Sequence, residues 1–224
     1  MQIAVFLYPG FTALDCVGPY EVLSRLPEAQ VVFCAADRGE VRTETEMLGI
    51  TADASIDEIT APDVLLVPGG FGTRPLMHDE RVLDWIRSVH MHTQWTTSVC
   101  TGSLLLGAAG LLQGLDATTH WASSELLEST GARYTEQRIV EHADRRIMMG
   151  AGVSAGIDMA LLLAARVAGD LYAEGIQLSI EYDPQPPFDK GSPTKAGPDL
   201  VALVRAVSND LEQAALTRSA PSPT

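Results

Sequence analysis

The sequence predicts an α/β fold in which the strands of a mostly parallel sheet alternate with helices. Three observations predict it: a continuous apolar run over residues 3–8, a second over 64–67, and a β-branched stretch that passes directly into a helical pattern over 95–112. Continuous apolar runs are typical of strands that are buried on both faces, as in parallel sheets. Helical patterns lie between these runs, so we expect helices on both faces of the sheet.

The remaining elements follow the same alternation. The spacing of apolar residues predicts helices over about 14–26, 79–91, 154–168 and 171–182. Strands are predicted over 31–36, 133–139 and 145–149. Residues 42–53 are polar and hairpin-like, and residues 182–193 form a proline-rich extended arm. We predict a single domain over residues 1–210 and a flexible C-terminal tail over 211–224.

Cys100 lies where the predicted strand ending near Val99 meets the next helix. A cysteine at such a turn, with Gly102 two positions later, indicates a nucleophile elbow, which projects the side chain over a helix N-terminus. There the free N–H groups and the helix dipole favour a thiolate over a thiol. A buried structural cysteine fits the same stretch, because free cysteines are among the most buried residues.

Two other predicted strands are followed by candidate site residues. Asp15 comes after the first strand, where it suits either a functional carboxyl group or a helix cap. Gly69 and Gly70 follow the strand over 64–67, where glycine permits close approach of backbone N–H groups to a ligand, or simply a tight turn. Ligand sites in α/β sheets form beyond the carboxyl ends of the strands. We therefore expect Asp15, the two glycines and Cys100 to converge.

Composition and charge argue against several functional classes. The chain has 15 Lys and Arg against 29 Asp and Glu, and its net charge of −14 argues against nucleic acid as a partner. No segment predicts a membrane span, and the N-terminus resembles a first strand rather than a signal peptide. Three cysteines without CxxC spacing are typical of a reducing compartment, so we expect a cytoplasmic protein in which Cys16 and Cys34 are inert core thiols. No dinucleotide, P-loop or metal-ligand motif is present, so we predict no cofactor and no metal.

Five motifs resemble the DJ-1/PfpI superfamily. They are FLYPGFTALDCVGPYEVL, DVLLVPGGFGT, SVCTGSLLLGAAGLLQG, TTHWAS and AGVSAGIDMALLL, and they extend over most of residues 3–168. The resemblance implies a flavodoxin-like three-layer sandwich with a cysteine nucleophile elbow. Within the superfamily, Thr101 after the cysteine, Asp15 in LDCVGP and the segment over 181–193 are similar to the isonitrile hydratase group.

That resemblance implies hydration of an isonitrile to an N-substituted formamide. Cys100 is expected to attack the terminal carbon as a thiolate, and water to hydrolyse the thioimidate that forms. Asp15 is the expected general acid and base, because burial and a nearby like charge raise the pKa of a carboxyl group toward neutrality. Thr101 is expected to donate its hydroxyl or backbone N–H to the thiolate or to an intermediate. The N–H groups of Gly69 and Gly70 are expected to complete an anion-binding pocket.

Three more residues are candidates for supporting roles around the site. The position of His120 relative to Cys100 resembles that of the triad-like histidine of several superfamily members, so His120 is expected near the site or at a dimer interface. Glu21 is expected either to orient the site or to belong to a solvated helix face. Asp183 would brace the wall of the active site from the C-terminal arm. The superfamily usually forms homodimers, so the resemblance implies a homodimer here.

Departures from other branches bear on two alternative functions. PfpI-type peptidases carry a histidine directly after the nucleophile, whereas this chain has Thr101, which argues against peptidase activity. DJ-1 itself carries a glutamate in place of Asp15. This difference argues against a glyoxalase or deglycase reaction on small carbonyl electrophiles but leaves it open as an alternative. The other alternative is a non-enzymatic sensor of redox stress, in which a low-pKa Cys100 is oxidised to a sulfinate.

Overall fold

The computed structural model describes residues 1–219, with side chains described to residue 213. The strands in this part of the chain are β1 (Gln2–Phe6), β2 (Gln30–Ala35), β3 (Gly39–Arg42), β4 (Gly49–Ala52), β5 (Ala54–Ser55), β6 (Val64–Val67), β7 (Trp95–Val99), β8 (Asp116–Ala117), β9 (Arg133–Tyr134), β10 (Ile139–His142) and β11 (Ile147–Gly150). The α-helices are α1 (Ala13–Leu23), α2 (Thr73–Leu76), α3 (Glu80–His90), α4 (Gly102–Ala108), α5 (Ser124–Glu128), α6 (Ala155–Ala168), α7 (Asp170–Ser179), α8 (Pro193–Ala196) and α9 (Pro198–Ser219).

The main sheet has seven strands in the order β10-β11-β7-β6-β1-β2-β5. All neighbouring pairs are parallel except β10 and β11, which are antiparallel. Two smaller pairs lie outside this sheet, the antiparallel hairpin β3–β4 and the parallel pair β8–β9. The mostly parallel sheet confirms the predicted fold class.

The central strands are buried on both faces. Every residue of β6 and nearly every residue of β1 is inaccessible to solvent, although successive side chains of a strand point to opposite faces. Both faces must therefore be covered. Helix α6 packs against α1 and α7, and helix α4 packs against α3 and α5. The runs of sequence are therefore continuously apolar because these strands are buried on both faces of the sheet, as predicted.

Small residues bring α1 close to α6. A Cβ atom placed on Gly18 would lie 3.0 Å from Ile157 Cγ1, and one on Gly156 would lie 3.0 Å from Val99 Cγ1 and 3.2 Å from Pro19 Cγ. Side chains at Gly18 and Gly156 would therefore push the two helices apart. This close packing supports the first turn of α1, which carries Asp15.

Most predicted elements are confirmed with shifts of a few residues at their ends, but the strand predicted over 133–139 is wrong. Only Arg133–Tyr134 is extended there, as β9, and it pairs with β8 outside the main sheet. The main sheet resumes at Ile139, where the antiparallel edge strand β10 begins. Residues 135–138 are polar and have no apolar face to bury in a sheet.

The chain divides into two compact units, with Met1–Ile180 as the first and a second that begins at Glu181. The first contains the sheet, and the second contains α8 and α9. The predicted single domain over 1–210 stays a prediction. Residues 211–219 of the predicted tail belong to α9, residues 220–224 lie outside the described residues, and the tail's flexibility stays a prediction. Among the described residues, no helix combines the length and apolar character that a membrane span needs.

Candidate active site

Three adjacent strands bring the predicted site residues together. Strands β1, β6 and β7 are neighbours and parallel, so their carboxyl ends meet at one edge of the sheet. Asp15 follows β1, Gly69 follows β6 and Cys100 follows β7. A Cβ atom placed on Gly69 would lie 2.8 Å from both Asp15 Oδ2 and Cys100 Cβ. The expected convergence is therefore observed.

Cys100 occupies a strained turn between β7 and α4. Its φ is +56°, a left-handed conformation that costs a non-glycine residue about 1–2 kcal/mol. The backbone N–H of Cys100 donates to the carbonyl oxygen of Gly150 at 3.0 Å, which ties the turn to β11. Two residues on, a Cβ atom at Gly102 would lie 2.1 Å from the carbonyl oxygen of Val67. The turn has the strand-to-helix geometry of the predicted elbow, and it requires glycine at position 102.

The carboxyl group of Asp15 is buried, with no part of the residue exposed to solvent. Its Oδ2 accepts a hydrogen bond from the N–H of Gly69 at 2.9 Å. Among the described residues, Oδ1 has no hydrogen-bond partner. Burial raises the pKa of Asp15 to about 8, although its hydrogen bonds with Gly69 and Cys100 act in the opposite direction. Asp15 is therefore mainly protonated at neutral pH.

The Cys100 thiol does not have the lowered pKa that the elbow suggested. Burial raises its pKa well above that of an ordinary cysteine, and the adjacent Asp15 raises it further. A hydrogen bond from the N–H of Thr101 lowers the pKa of Cys100. The helix that follows, α4, has only seven residues, so its dipole is correspondingly short. Burial and the adjacent carboxyl group oppose the expected thiolate, which stays a prediction, and Asp15 and Cys100 form a buried acid–thiol pair.

The glycine N–H groups also differ from their predicted role. The N–H of Gly69 is occupied by Asp15, and the N–H of Gly70 donates to Thr101 Oγ1 at 2.8 Å. Thr101 Oγ1 in turn donates to the carbonyl oxygen of Gly70 at 3.1 Å. Both N–H groups therefore already have acceptors, and their part in an anion-binding pocket stays a prediction. The Thr101 hydroxyl holds the loop after β6, and the Thr101 backbone N–H is the group directed at the thiol.

His120 lies in a segment that contacts the elbow. The hydroxyl of the preceding residue, Thr119, donates to the carbonyl oxygen of Cys100 at 3.0 Å. The Nδ1 of His120 accepts from the N–H of Ala122 at 3.4 Å, and its ring packs against Trp121 with centroids 5.4 Å apart. His120 therefore begins a short 3-10 turn beside the elbow. A role for it in the site or at a dimer interface stays a prediction.

The other two supporting candidates lie away from the acid–thiol pair or in the second unit. Glu21 is solvent-exposed and forms an ion pair with Arg25 at 2.8 Å, one helical turn further along α1. These contacts agree with the solvated helix face for Glu21, and its role in orienting the site stays a prediction. Asp183 belongs to the second unit, where it accepts a hydrogen bond from Gln185 Nε2 at 3.0 Å. Its bracing role stays a prediction.

The remaining cysteines match their predicted burial. Cys16 and Cys34 are both inaccessible to solvent and unpaired, and burial raises the pKa of each thiol to about 12. The Cys16 thiol donates to the carbonyl oxygen of Ala13 at 3.2 Å. Across residues 1–219, no three His, Cys, Asp or Glu side chains are grouped as a metal site requires.

Sequence analysis missed two residues close to this site. Tyr8 donates its buried hydroxyl to the carbonyl oxygen of Pro68 at 2.5 Å. Glu44, in the β3–β4 turn, accepts a hydrogen bond from Thr12 Oγ1 at 2.9 Å. Burial raises the pKa of both, and Asp15 raises the pKa of Tyr8 further. Tyr8 was hidden in an apolar strand pattern, and nothing in the polar hairpin sequence distinguished Glu44 from its neighbours.

The fold and the site define this chain as an α/β protein with a buried acid–thiol pair at a cysteine elbow. It belongs to the DJ-1/PfpI family, whose model matches residues 1–166. The chain is 46% identical over 196 residues to isonitrile hydratase of Pseudomonas putida, a match that covers 88% of this chain and 85% of that relative.

Solved structures agree with this assignment. A THiJ/PfpI family protein from Pseudomonas syringae superposes with a TM-score of 0.88 at 36% identity, covering 96% of this chain and 88% of that one. DJ-1beta of Drosophila melanogaster superposes with a TM-score of 0.73 at 20% identity, covering 82% of this chain and 98% of that one, and so supports the fold alone. The flavodoxin-like architecture implied by the sequence motifs is therefore confirmed.

Proposed function

We propose that this protein hydrates an isonitrile to an N-substituted formamide, with Cys100 as the nucleophile and Asp15 as the general acid and base. The observation that carries the proposal is the 46% identity to isonitrile hydratase over 88% of the chain. The site supports it independently, because a protonated carboxyl group lies against a buried thiol at a cysteine elbow.

A neutral acid–thiol pair suits an uncharged substrate whose terminal carbon must gain both a sulfur and a proton. The carboxyl proton of Asp15 passes to the isonitrile carbon as Cys100 Sγ bonds to that carbon, and the thiol proton passes to the Asp15 carboxylate. The S–H bond breaks, C–S and C–H bonds form, and the carbon–nitrogen triple bond becomes a double bond. The product is a thioimidate, and Asp15 is again protonated.

Hydrolysis then releases the formamide. Asp15 protonates the thioimidate nitrogen and removes a proton from water as the water oxygen bonds to the carbon. The C–S bond of the tetrahedral adduct breaks, the carbonyl forms, and the hydroxyl proton returns to the sulfur through Asp15. One isonitrile and one water become one formamide, and the acid–thiol pair is restored.

Thr101 contributes in two ways to this proposed reaction. Its backbone N–H is directed at the sulfur and stabilises negative charge there when the thiol loses its proton. Its hydroxyl forms a reciprocal pair with the peptide of Gly70 and so holds the loop beside the nucleophile. Gly69 also holds the site in place, because its N–H orients the carboxyl group of Asp15.

The alternatives receive less support from the site. An oxidation sensor depends on an exposed, low-pKa thiol, whereas Cys100 is 5% exposed and its pKa is raised. Glyoxalase or deglycase chemistry would use the same nucleophile on a carbonyl carbon, and no described contact favours that substrate class. A substrate panel separates these reactions.

The experiment measures formamide formation from cyclohexyl isonitrile by wild type, Cys100→Ala and Cys34→Ala, with methylglyoxal as a parallel substrate. Cys34→Ala is the matched control, because it removes a buried thiol from β2, away from the acid–thiol pair. We expect activity in wild type and in Cys34→Ala and none in Cys100→Ala. Turnover in Cys100→Ala, or a folded wild type that forms no formamide, would contradict the proposal. Consumption of methylglyoxal alone would support the alternative.

We also propose that the protein works as a homodimer in the cytoplasm. Membership of the family supports the dimer, because the superfamily usually assembles in this way. Three unpaired cysteines among the described residues support a reducing compartment. Light scattering coupled to size-exclusion chromatography is expected to give twice the chain mass, and a monomer at micromolar concentration would contradict the assembly.

A further inference from the structure

Glu44 connects the β3–β4 turn to the start of α1. Its Oε2 accepts a hydrogen bond from Thr12 Oγ1 at 2.9 Å, and its carboxyl group also accepts from the N–H of Phe71. Its own N–H donates to the carbonyl oxygen of Phe11 at 3.0 Å. The half-buried carboxyl group of Glu44 thus joins the segment after β1 to the loop after β6.

Thr12 continues this connection to the acid–thiol pair. It is the residue before α1, and its carbonyl oxygen accepts from the N–H of Asp15 at 3.2 Å. Its N–H donates to the carbonyl oxygen of Gly69 at 2.8 Å. A single residue therefore separates Glu44 from the backbone of Asp15 and from the glycine that orients the Asp15 carboxyl group.

Glu44 also acts on the pair through its charge. The titratable and charged groups that interact with it are Asp15, Cys100, Tyr8 and Arg74. A Glu44 carboxylate raises the pKa of Asp15, Cys100 and Tyr8, whereas Arg74 lowers the pKa of Glu44. Burial raises the pKa of Glu44 itself, and its bonds with Thr12 and Phe71 favour the charged form.

We propose that Glu44 is a positioning residue of the site, which holds the start of α1, and with it Asp15, through its hydrogen bond with Thr12 and which supplies a negative charge to this region. The inference rests on the proposed function for its catalytic consequence, because Asp15 must be protonated to deliver a proton to the isonitrile carbon. Its effect on Cys100 does not depend on which substrate the protein uses.

The first test is Glu44→Gln, which keeps an acceptor for Thr12 and removes the charge. The pH dependence of Cys100 alkylation by iodoacetamide, followed by peptide mass, reports the pair without any substrate. We expect its midpoint to fall by about one pH unit, as loss of a nearby like charge predicts. The alkaline limb of the pH profile of kcat/KM for isonitrile hydration should move to lower pH in parallel. The reason is that a general acid with a lower pKa loses its proton at a lower pH.

Glu46→Gln is the matched control, because it removes the same charge from an exposed position in the same turn. We expect both of its pH profiles to coincide with those of wild type. A folded Glu44→Gln protein whose alkylation midpoint equals that of Glu46→Gln would overturn the charge role. If wild type shows no hydratase activity, the proposed function fails while the alkylation profile still decides the role of Glu44.

The second test is Thr12→Val, which removes the hydroxyl group and leaves the charge of Glu44 in place. We expect kcat/KM to fall by about tenfold, because the carboxyl group of Asp15 loses part of its orientation. The alkylation midpoint should not fall, which distinguishes this variant from Glu44→Gln. Wild-type turnover in Thr12→Val would overturn the positioning role.

Discussion

The carboxyl group of Asp15 accepts a hydrogen bond from the backbone N–H of Gly69 at 2.9 Å, although the two residues are 54 positions apart in the chain. The bond ties the first turn of α1 to the loop after β6. It also fixes one carboxyl oxygen, while the other has no hydrogen-bond partner among the described residues. Four predictions follow from this arrangement and its immediate neighbours.

Asp15→Asn is expected to separate reactivity of the thiol from catalysis. The amide oxygen of asparagine can accept the Gly69 N–H, so the fold should be retained, but the proton donor is lost. We expect isonitrile hydration to fall by about 10²–10⁴-fold, the usual contribution of a general acid or base. Loss of the adjacent carboxylate lowers the pKa of Cys100, so alkylation of the thiol at pH 9 should become faster. Slower alkylation together with retained turnover would contradict the assignment.

Asp15 also makes stability depend on pH with a defined sign. Its pKa is about 8 in the folded chain and about 3.9 in an unfolded one. The folded state therefore binds more protons between these values, and its free energy of unfolding decreases as pH rises from about 4 to about 8. The slope from this group is at most about 1.4 kcal/mol per pH unit.

Urea unfolding of wild type and Asp15→Asn at several pH values between 5 and 8 measures this effect. The difference between the two proteins removes the contributions of the titrating groups that do not interact with Asp15. We expect wild type to lose stability relative to Asp15→Asn as pH rises. Parallel stability curves would show that Asp15 is not held in its neutral form.

Gly69→Ala is expected to be destabilising. A Cβ atom at this position would lie 2.6 Å from the backbone nitrogen of Thr101 and 2.8 Å from Asp15 Oδ2. Overpacking of this kind costs about 1–3 kcal/mol, and it would move the carboxyl group away from the thiol. We expect denaturant unfolding to show this loss and hydration of an isonitrile to fall with it.

Gly175→Ala is the control for Gly69→Ala. It lies inside α7, and nothing lies within 4 Å of the added Cβ atom. Alanine is the better helix former, so we expect a gain of about 0.5–1 kcal/mol. Equal changes in the free energy of unfolding for the two alanine variants would contradict the claim that Gly69 has no room for a side chain.

Thr101→Val is expected to destabilise the loop after β6. Valine has a similar shape but cannot accept the buried N–H of Gly70. A buried donor without an acceptor costs about 1–3 kcal/mol, which unfolding by urea would detect. Thr101→Ser keeps the hydroxyl group and should retain most of the stability. A Val variant as stable as the Ser variant would contradict the importance of this bond.

The order of strands and helices could be predicted from sequence because it depends on local patterns. The residues that indicate each element are close together in the sequence. This holds for the buried runs over 3–8 and 64–67 and for the turn at Cys100. The convergence of Asp15, Gly69 and Cys100 could also be predicted, because parallel strands place their carboxyl ends at one edge. The second compact unit could not, since the division at Ile180 depends on contacts between distant residues.

The sequence by itself determined the α/β class, the elbow cysteine and the carboxyl group that faces it, because each follows from residue type and its position relative to a strand. Only the tertiary structure decided that burial raises the pKa of Cys100, that the Gly69 and Gly70 N–H groups hold Asp15 and Thr101, and that Glu44 is bound to Thr12 at the start of α1. The physical reason is that pKa values and hydrogen-bond partners depend on burial and on groups brought from remote parts of the chain. These are properties of the packed molecule, and no local window of sequence contains them.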